Sequence, residues 1–181
     1  MLTPSLRLLV RNWWAVVVWL VIIRLESTDM ASATNTTGLL YSVIAAVVPR
    51  IDPHLVEQLD DVVRKTGHFL GYGILSALVL LALRNTNRDR LRPLLLRTWG
   101  TCLRDLWRRE WVFIGVLMTM LTAACDEIHQ SFIPSRTGRW QDVVLDTCGA
   151  AVIQVGMYFV SLRMLRRRQA IEREPELSSI R

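Results

Sequence analysis

Apolar residues in this chain gather in blocks, such as WWAVVVWLVII and AVIQVGMYFV, with strongly polar stretches between them. A soluble domain of this size would instead scatter them with helix or strand periodicity. A helix that crosses a bilayer needs about 20 mostly apolar residues. Four segments approach that length: residues 8–23, 66–83, 111–125 and 143–162. We therefore predict an all-α membrane protein with about four transmembrane helices. Several of these segments are short or polar at one end, as helices are when their ends border water or a polar cavity. A fifth apolar run, 39–48, is too short to cross and is bracketed by Gly38 and Pro49, which predicts an interfacial or re-entrant helix. Residues 1–165 read as one helical membrane domain, with its motif-bearing core at about 60–160, and 166–181 as a polar cytoplasmic tail. The sequence contains no repeat and no second domain.

Composition supports this class. Of 181 residues, 51% are hydrophobic and 21% charged, with mean hydropathy +0.28 and seven Trp. Disorder is excluded, because disordered chains are poor in apolar residues, and three Cys cannot build a disulfide framework. The net charge of +6 and pI near 10.0 report topology and contact with anionic lipid, and no nucleic-acid partner is expected. Lys and Arg divide unevenly between the helix ends. Arg7 and Arg11 precede the first segment, eight Arg lie between Arg84 and Glu110, and six follow from Arg163, against six Lys and Arg at the opposite ends. Both termini and the Arg-rich loop are thus expected in the cytoplasm, with 24–65 and 128–141 outside.

The first block has a basic flank and Ala31-Ser32-Ala33 beyond it, the outline of a cleavable signal. That Ala-x-Ala stands well past the apolar run, behind Arg24, Glu26 and Asp29, and Trp13, Trp14 and Trp19 suit a retained interfacial helix. In the Arg-rich loop, Leu96, Trp99, Leu103, Leu106 and Trp107 recur at helical spacing and predict a surface helix at the lipid headgroups. Residues 27–38, rich in Ser, Thr and Asn, read as a flexible external loop in which Asn35-Thr36-Thr37 has the form of a glycosylation acceptor.

Ionisable groups near a membrane are costly and are functional candidates by default. Nearly all of them cluster at the outer ends of three helices. Lys65, His68 and Tyr72 stand three and four residues apart, on one helical face. Asp126 and Glu127 can share a face with Gln130. Asp142, Asp146 and Gly149 repeat the four-and-three spacing, and Arg136 lies in the connection between the last two helices. Three polar ridges at one depth would form a single external site. Four carboxylates beside Lys65, Arg136 and a His suit acid and base work, with His68 or Glu127 carrying the proton and the cations holding a phosphate or carboxylate. The same groups with His129 could bind a divalent metal, but the spacing matches no metal signature such as His-Glu-x-x-His, so no metal or other cofactor is assigned. Packing is the competing explanation, since membrane bundles use buried polar residues as glue. Cys125 and Cys148 read as small buried residues, Cys102 as a cytoplasmic thiol, and Gln154 as an interhelical hydrogen bond.

These ridges resemble the VanZ-like family. The stretches that carry the likeness are Arg64-Lys65-Thr66-Gly67-His68-Phe69-Leu70-Gly71-Tyr72, Asp126-Glu127-Ile128-His129-Gln130-Ser131-Phe132-Ile133-Pro134-Ser135-Arg136 and Asp142-Val143-Val144-Leu145-Asp146-Thr147-Cys148-Gly149. The resemblance covers about half the chain, from the second helix to the fourth. It places the family's Lys-x-x-His-Phe-x-x-Tyr on Lys65, His68, Phe69 and Tyr72. Its Asp-Glu-x-x-Gln-x-Phe-x-Pro-x-Arg falls on Asp126, Glu127, Gln130, Phe132, Pro134 and Arg136, and its last motif on Asp142, Asp146 and Gly149. Arg64 stands where many members have Asp, Asp146 where many have Asn, and Ser135 where Gly is frequent.

The resemblance implies a multi-pass protein of the bacterial inner (plasma) membrane with its site facing out, and the family is named for teicoplanin resistance. It supplies no reaction. The expected function is a cell-envelope protein that binds or acts on an anionic lipid-linked or peptidoglycan-related group, with glycopeptide tolerance as one outcome. Lys65, Arg136, Gln130, Tyr72 and Asp146 would bind, and His68, Glu127, Asp142 and Asp126 would transfer or orient protons. Its partners would be membrane lipids and a lipid-linked precursor. A proton- or ion-coupled transporter and a non-catalytic assembly module are the alternatives. A transporter needs polar residues across the bilayer, and the inner halves of these helices are almost wholly apolar apart from Gln154.

Overall fold

The computed structural model describes residues 4–28, 33–48, 50–95, 109–134 and 136–178. They form five helices and no strand: α1 Pro4–Glu26, α2 Ala33–Val47, α3 Pro53–Leu95, α4 Arg109–Gln130 and α5 Trp140–Ser178. Four are long and apolar enough to cross a membrane, over Leu6–Glu26, Pro53–Asn87, Glu110–Gln130 and Trp140–Met164. This is the expected all-α class with four candidate spans. The predicted surface helix at Leu96, Trp99, Leu103, Leu106 and Trp107 lies outside the described residues, as does Cys102.

Several boundaries differ from the sequence expectation. The second span begins at Pro53 rather than near 66. Asp52 caps it, its side chain accepting from the His54 N–H at 3.0 Å, and Pro53 takes the first helical position, where its missing N–H costs nothing. At 43 residues α3 is about 65 Å long, twice the hydrocarbon thickness, so it projects well beyond the bilayer. The short apolar run is helical, but α2 starts at Ala33, so the Asn35-Thr36-Thr37 stretch lies in a helix and not in a loop. The Thr37 hydroxyl donates to Asp60 at 2.8 Å, holding α2 against α3. At the other end α5 runs on to Ser178 without a break at 165, through a stretch rich in Arg, Gln, Ala and Glu, strong helix formers, with Pro175 entering only in the last turn.

Helix α3 is the centre of the bundle and touches all four others, while α4 also packs on α5. Val16 and Ile23 of α1, Tyr72, Leu75, Val79 and Ala82 of α3 and Ala123 of α4 form the core. Large apolar residues also cover the outside, among them Val17 and Val21 of α1, Phe113 and Leu121 of α4, and Val152 and Phe159 of α5. In water this surface would drive aggregation, whereas lipid tails solvate it. Buried polar groups bind the helices from within. Trp13 donates to Thr86 at 3.1 Å and Trp19 to the Gly71 carbonyl at 2.8 Å, so two of the tryptophans expected at an interface serve as handles between α1 and α3. Gln154 makes the expected interhelical bond, donating to the Ser76 carbonyl at 3.0 Å and hydroxyl at 2.9 Å.

Glycines set the closest approach. A Cβ on Gly149 would collide with the Phe69 carbonyl oxygen, and one on Gly73 would meet Ile153 at 2.6 Å. Small residues allow α3 and α5 to pack backbone against backbone there. Because Gly149 follows Asp146 by three residues on the same face, that approach also brings Asp146 beside α3.

Candidate functional site

The C-terminal ends of α1 and α4, the N-terminal end of α5 and the N-terminal half of α3 meet at one end of the bundle. There α3, α4, α5 and the α4–α5 connection enclose an open pocket of about 270 Å³, whose lining includes Lys65, His68, Glu127, Gln130, Arg136 and Asp142. Six of the nine site residues chosen from sequence therefore line one pocket. The other three, Tyr72, Asp126 and Asp146, are buried near it. Helical spacing made this legible, because each ridge turns one face inward.

The structure separates the four carboxylates. Asp126 is satisfied: Tyr72 Oη donates to its Oδ2 at 3.1 Å, and Gln130 Nε2 to the same oxygen at 2.9 Å. Glu127 Oε2 accepts the Arg139 main-chain N–H at 2.8 Å, which fixes its side chain toward the pocket floor. Asp142 is half-buried at the start of α5. Asp146 is 0% exposed, and neither of its oxygens has a hydrogen-bond donor among the described residues. Its nearest partner is His68, whose Nδ1 stands 3.5 Å from Asp146 Oδ2, too long for a good hydrogen bond. The His68 ring lies 6.0 Å from that of Tyr72, centroid to centroid, in a stacked arrangement.

The cations also differ. Lys65 pairs with Asp61 at 2.6 Å, one turn away on α3, and both side chains are half exposed. Such a pair is worth only about 0.3–0.5 kcal/mol, so an anion arriving in the pocket can replace Asp61 at little cost. Arg136 is held elsewhere: its Nη2 donates to the carbonyls of Glu26 and Thr28, both at 2.9 Å. These are carbonyls at the C-terminal end of α1, which lack helical partners, so Arg136 caps that end while its side chain also borders the pocket. Arg64 and Arg139 line the pocket as well, and Arg64 Nε has no hydrogen-bond partner among the described residues. Sequence reasoning did not select these two. Arg64 stands four residues before His68 and so shares its face, a signal that was available. Arg139 lies in a connection without helical period and left none.

The connection itself is tightly seated. A Cβ on Gly138 would meet the Glu127 carbonyl oxygen, so only glycine lets this segment pass beneath α4 and deliver the Arg139 N–H to Glu127. Cys125 and Cys148, expected to be buried, are exposed free thiols. Each neighbours an inward residue, Asp126 or Gly149, and helical rotation turns it to the outer face. Below Tyr72 the bundle closes with Leu75, Val79 and Ala82, and the polar groups described there are Ser76, Thr119 and Gln154.

Chemically, the pocket offers cations and the His68 ring, and the unfilled carboxylate of Asp146 lies buried behind that ring. One donor atom from each of His68, Glu127 and Asp146 lies within 4.8 Å of the others. A volume of about 270 Å³ is at the small end of ligand pockets and suits a headgroup rather than a whole lipid. A family model described as VanZ/LLP1 matches residues 12–162, which extends the likeness to most of α1 and nearly all of the membrane-crossing part of α5. No curated protein and no solved structure matches the chain.

Proposed function

The chain belongs to the VanZ/LLP1 family, and from that premise we propose that it is an inner-membrane protein of the bacterial cell envelope whose polar pocket faces outward and takes an anionic, phosphate-bearing group of a lipid-linked or peptidoglycan-related precursor. The observation that carries this proposal is the convergence of Arg64, Lys65, His68, Glu127 and Asp142, from three helices, on one pocket at one end of the bundle. Orientation rests on the positive-inside rule: the sequence carries eight Arg between Arg84 and Glu110, and the described ends of that stretch, Arg84 in α3 and Arg109 in α4, lie at the end of the bundle opposite the pocket. That end is therefore assigned to the cytoplasm, where an anionic leaflet retains positive charge. Arg64 and Lys65 engage the anion, Glu127 and Asp142 orient or move protons beside His68, and Arg136 fixes the wall between α1 and the α4–α5 connection.

Glycopeptide tolerance is the phenotype to test. Teicoplanin and vancomycin susceptibility is measured in a sensitive bacterium that produces either the native protein or Glu127→Gln, at matched membrane levels. The native protein is expected to raise teicoplanin tolerance and Glu127→Gln, nearly isosteric but uncharged, to lose that effect. Equal tolerance from both would mean that the carboxylate acts only in packing.

A further inference from the structure

Asp146 presents a problem that the proposed function does not solve. A carboxylate at 0% exposure normally accepts several hydrogen bonds, because an uncompensated buried charge costs several kcal/mol. Asp126, on the neighbouring helix, meets that demand with Tyr72 and Gln130. Asp146 does not: both oxygens lack donors, and His68 Nδ1, also buried and without a hydrogen-bond partner, faces Oδ2 at 3.5 Å. An ordinary His–Asp pair would close to about 2.8 Å and still leave Oδ1 unsatisfied. Two buried polar groups thus face one another at a separation too long for a good hydrogen bond, a spacing that an ion held between them accounts for.

Glu127 completes the set from the third helix. Donor atoms of His68, Glu127 and Asp146 fall within 4.8 Å of one another. A single ion at about 2.0–2.4 Å from each donor spans up to roughly 4.8 Å between opposite ligands, so one ion fits with little movement. Outer contacts of the usual kind are present too, since the Arg139 N–H orients Glu127 through Oε2. We propose that His68, Glu127 and Asp146 bind one divalent transition-metal ion at the floor of the pocket. One imidazole with two carboxylates suits Zn²⁺ or Mn²⁺ better than Ca²⁺ or Mg²⁺, which prefer oxygen alone. The cation neutralises the buried carboxylates, and its free positions face the pocket, where an anionic oxygen held by Arg64 and Lys65 can complete its coordination.

The inference rests on and deepens the phosphate-binding proposal by supplying a ligand for the anion; with His68 and Glu127 engaged by the ion, Asp142 is the group left to move a proton, and the two readings can fail separately. The test uses full-length protein in detergent, with Cys102, Cys125 and Cys148 changed to Ser so that thiols bind no zinc. After chelation and dialysis the protein is titrated with Zn²⁺ and, separately, Mn²⁺. Metal retained after gel filtration is measured together with the thermal midpoint. The expected result is about one ion per chain and a rise of several degrees in the midpoint. Asp146→Asn and His68→Gln are expected to weaken retention by at least about tenfold. No retention and no thermal shift with either ion in the otherwise native protein would overturn the proposal, whether or not the variants fold, as would equal retention by Asp146→Asn. In either of those cases a persistent preference of the pocket for phosphate over a neutral group would leave the proposed function standing on its arginines and lysine.

Discussion

Replacing Gly149 with Ala is expected to be among the most damaging methyl additions in this protein, and replacing Gly67 with Ala one of the most benign. Both glycines belong to the stretches that mark the family, and both lie in helices. The difference lies in what a Cβ would meet. At Gly149 it would collide with the main-chain carbonyl of Phe69, which cannot rotate aside as a side chain can, so α3 and α5 must separate. Overpacking costs typically 1–3 kcal/mol, and a rigid obstacle places Gly149→Ala at about 3 kcal/mol or above. Separation also draws Asp146 away from His68, so any ligand held between them is lost with the stability. At Gly67 nothing lies within 4 Å, and Ala is the better helix former by about 0.5–1 kcal/mol. Thermal unfolding of both variants in the same detergent is expected to show a fall of many degrees for Gly149→Ala and no fall for Gly67→Ala. A similar loss in both would mean that helix propensity, and not the contact with Phe69, decides these positions.

The second large effect is expected at Arg136. Its Nη2 bridges two main-chain carbonyls at the end of α1, at sequence separations of 108 and 110 residues. Hydrogen bonds to charged groups contribute about 1.5–3 kcal/mol each, and part of that is recovered when water reaches the freed carbonyls at this end of the bundle. Arg136→Ala is therefore expected to lower stability by roughly 3 kcal/mol. Thr28→Ala serves as the control. It removes a side chain but keeps the carbonyl that Arg136 uses, so the loss should be limited to the hydroxyl bond to Leu25, about 1 kcal/mol or less. Thermal midpoints of the two variants separate a capping role for Arg136 from a purely electrostatic one. If Arg136→Ala unfolds at the native temperature, the bond to α1 contributes nothing and Arg136 is free to serve the pocket alone.

These two residues also show which parts of the site were legible in the sequence. Gly149 could be placed on the Asp146 face by counting residues, because helical geometry is local and its spacing is fixed. The same rule found Lys65, His68 and Tyr72 together, and Asp126 with Gln130. Alternation of cytoplasmic and external ends then put the three ridges at one depth, since each crossing reverses the chain. What could not be read is whatever depends on the far partner. Nothing near Arg136 announces that α1 ends within its reach, and an arginine beside a polar site reads naturally as an anion binder. Asp126 and Asp146 are alike in sequence, each followed by a small or polar neighbour on an amphipathic end. Only the fold shows that one accepts hydrogen bonds from Tyr72 and Gln130, while neither oxygen of the other has a donor among the described residues. The start of α3 lies ahead of the apolar run from 66 because the charged stretch from Glu57 to Lys65 falls outside any bilayer-length apolar window, although Asp52-Pro53 is a helix-start signal and Val56 and Asp60 share a buried face. The exposed thiols follow the same logic, because the inward faces beside them were already taken by Asp126 and Gly149.

The central claim is that the pocket binds an anion and is more than polar glue between helices. It is tested most directly by placing the purified protein, freed of metal by chelation, in nanodiscs of neutral phosphatidylcholine and titrating a short-chain polyprenyl phosphate and, in parallel, the matching alcohol. Loss of two charge-assisted contacts amounts to at least about tenfold in affinity. The native protein is accordingly expected to prefer the phosphate by at least about tenfold, and the double variant Arg64→Gln, Lys65→Gln to lose the preference while keeping its thermal midpoint. Equal binding of phosphate and alcohol by the native protein, or a phosphate preference that survives in the double variant, would contradict the account.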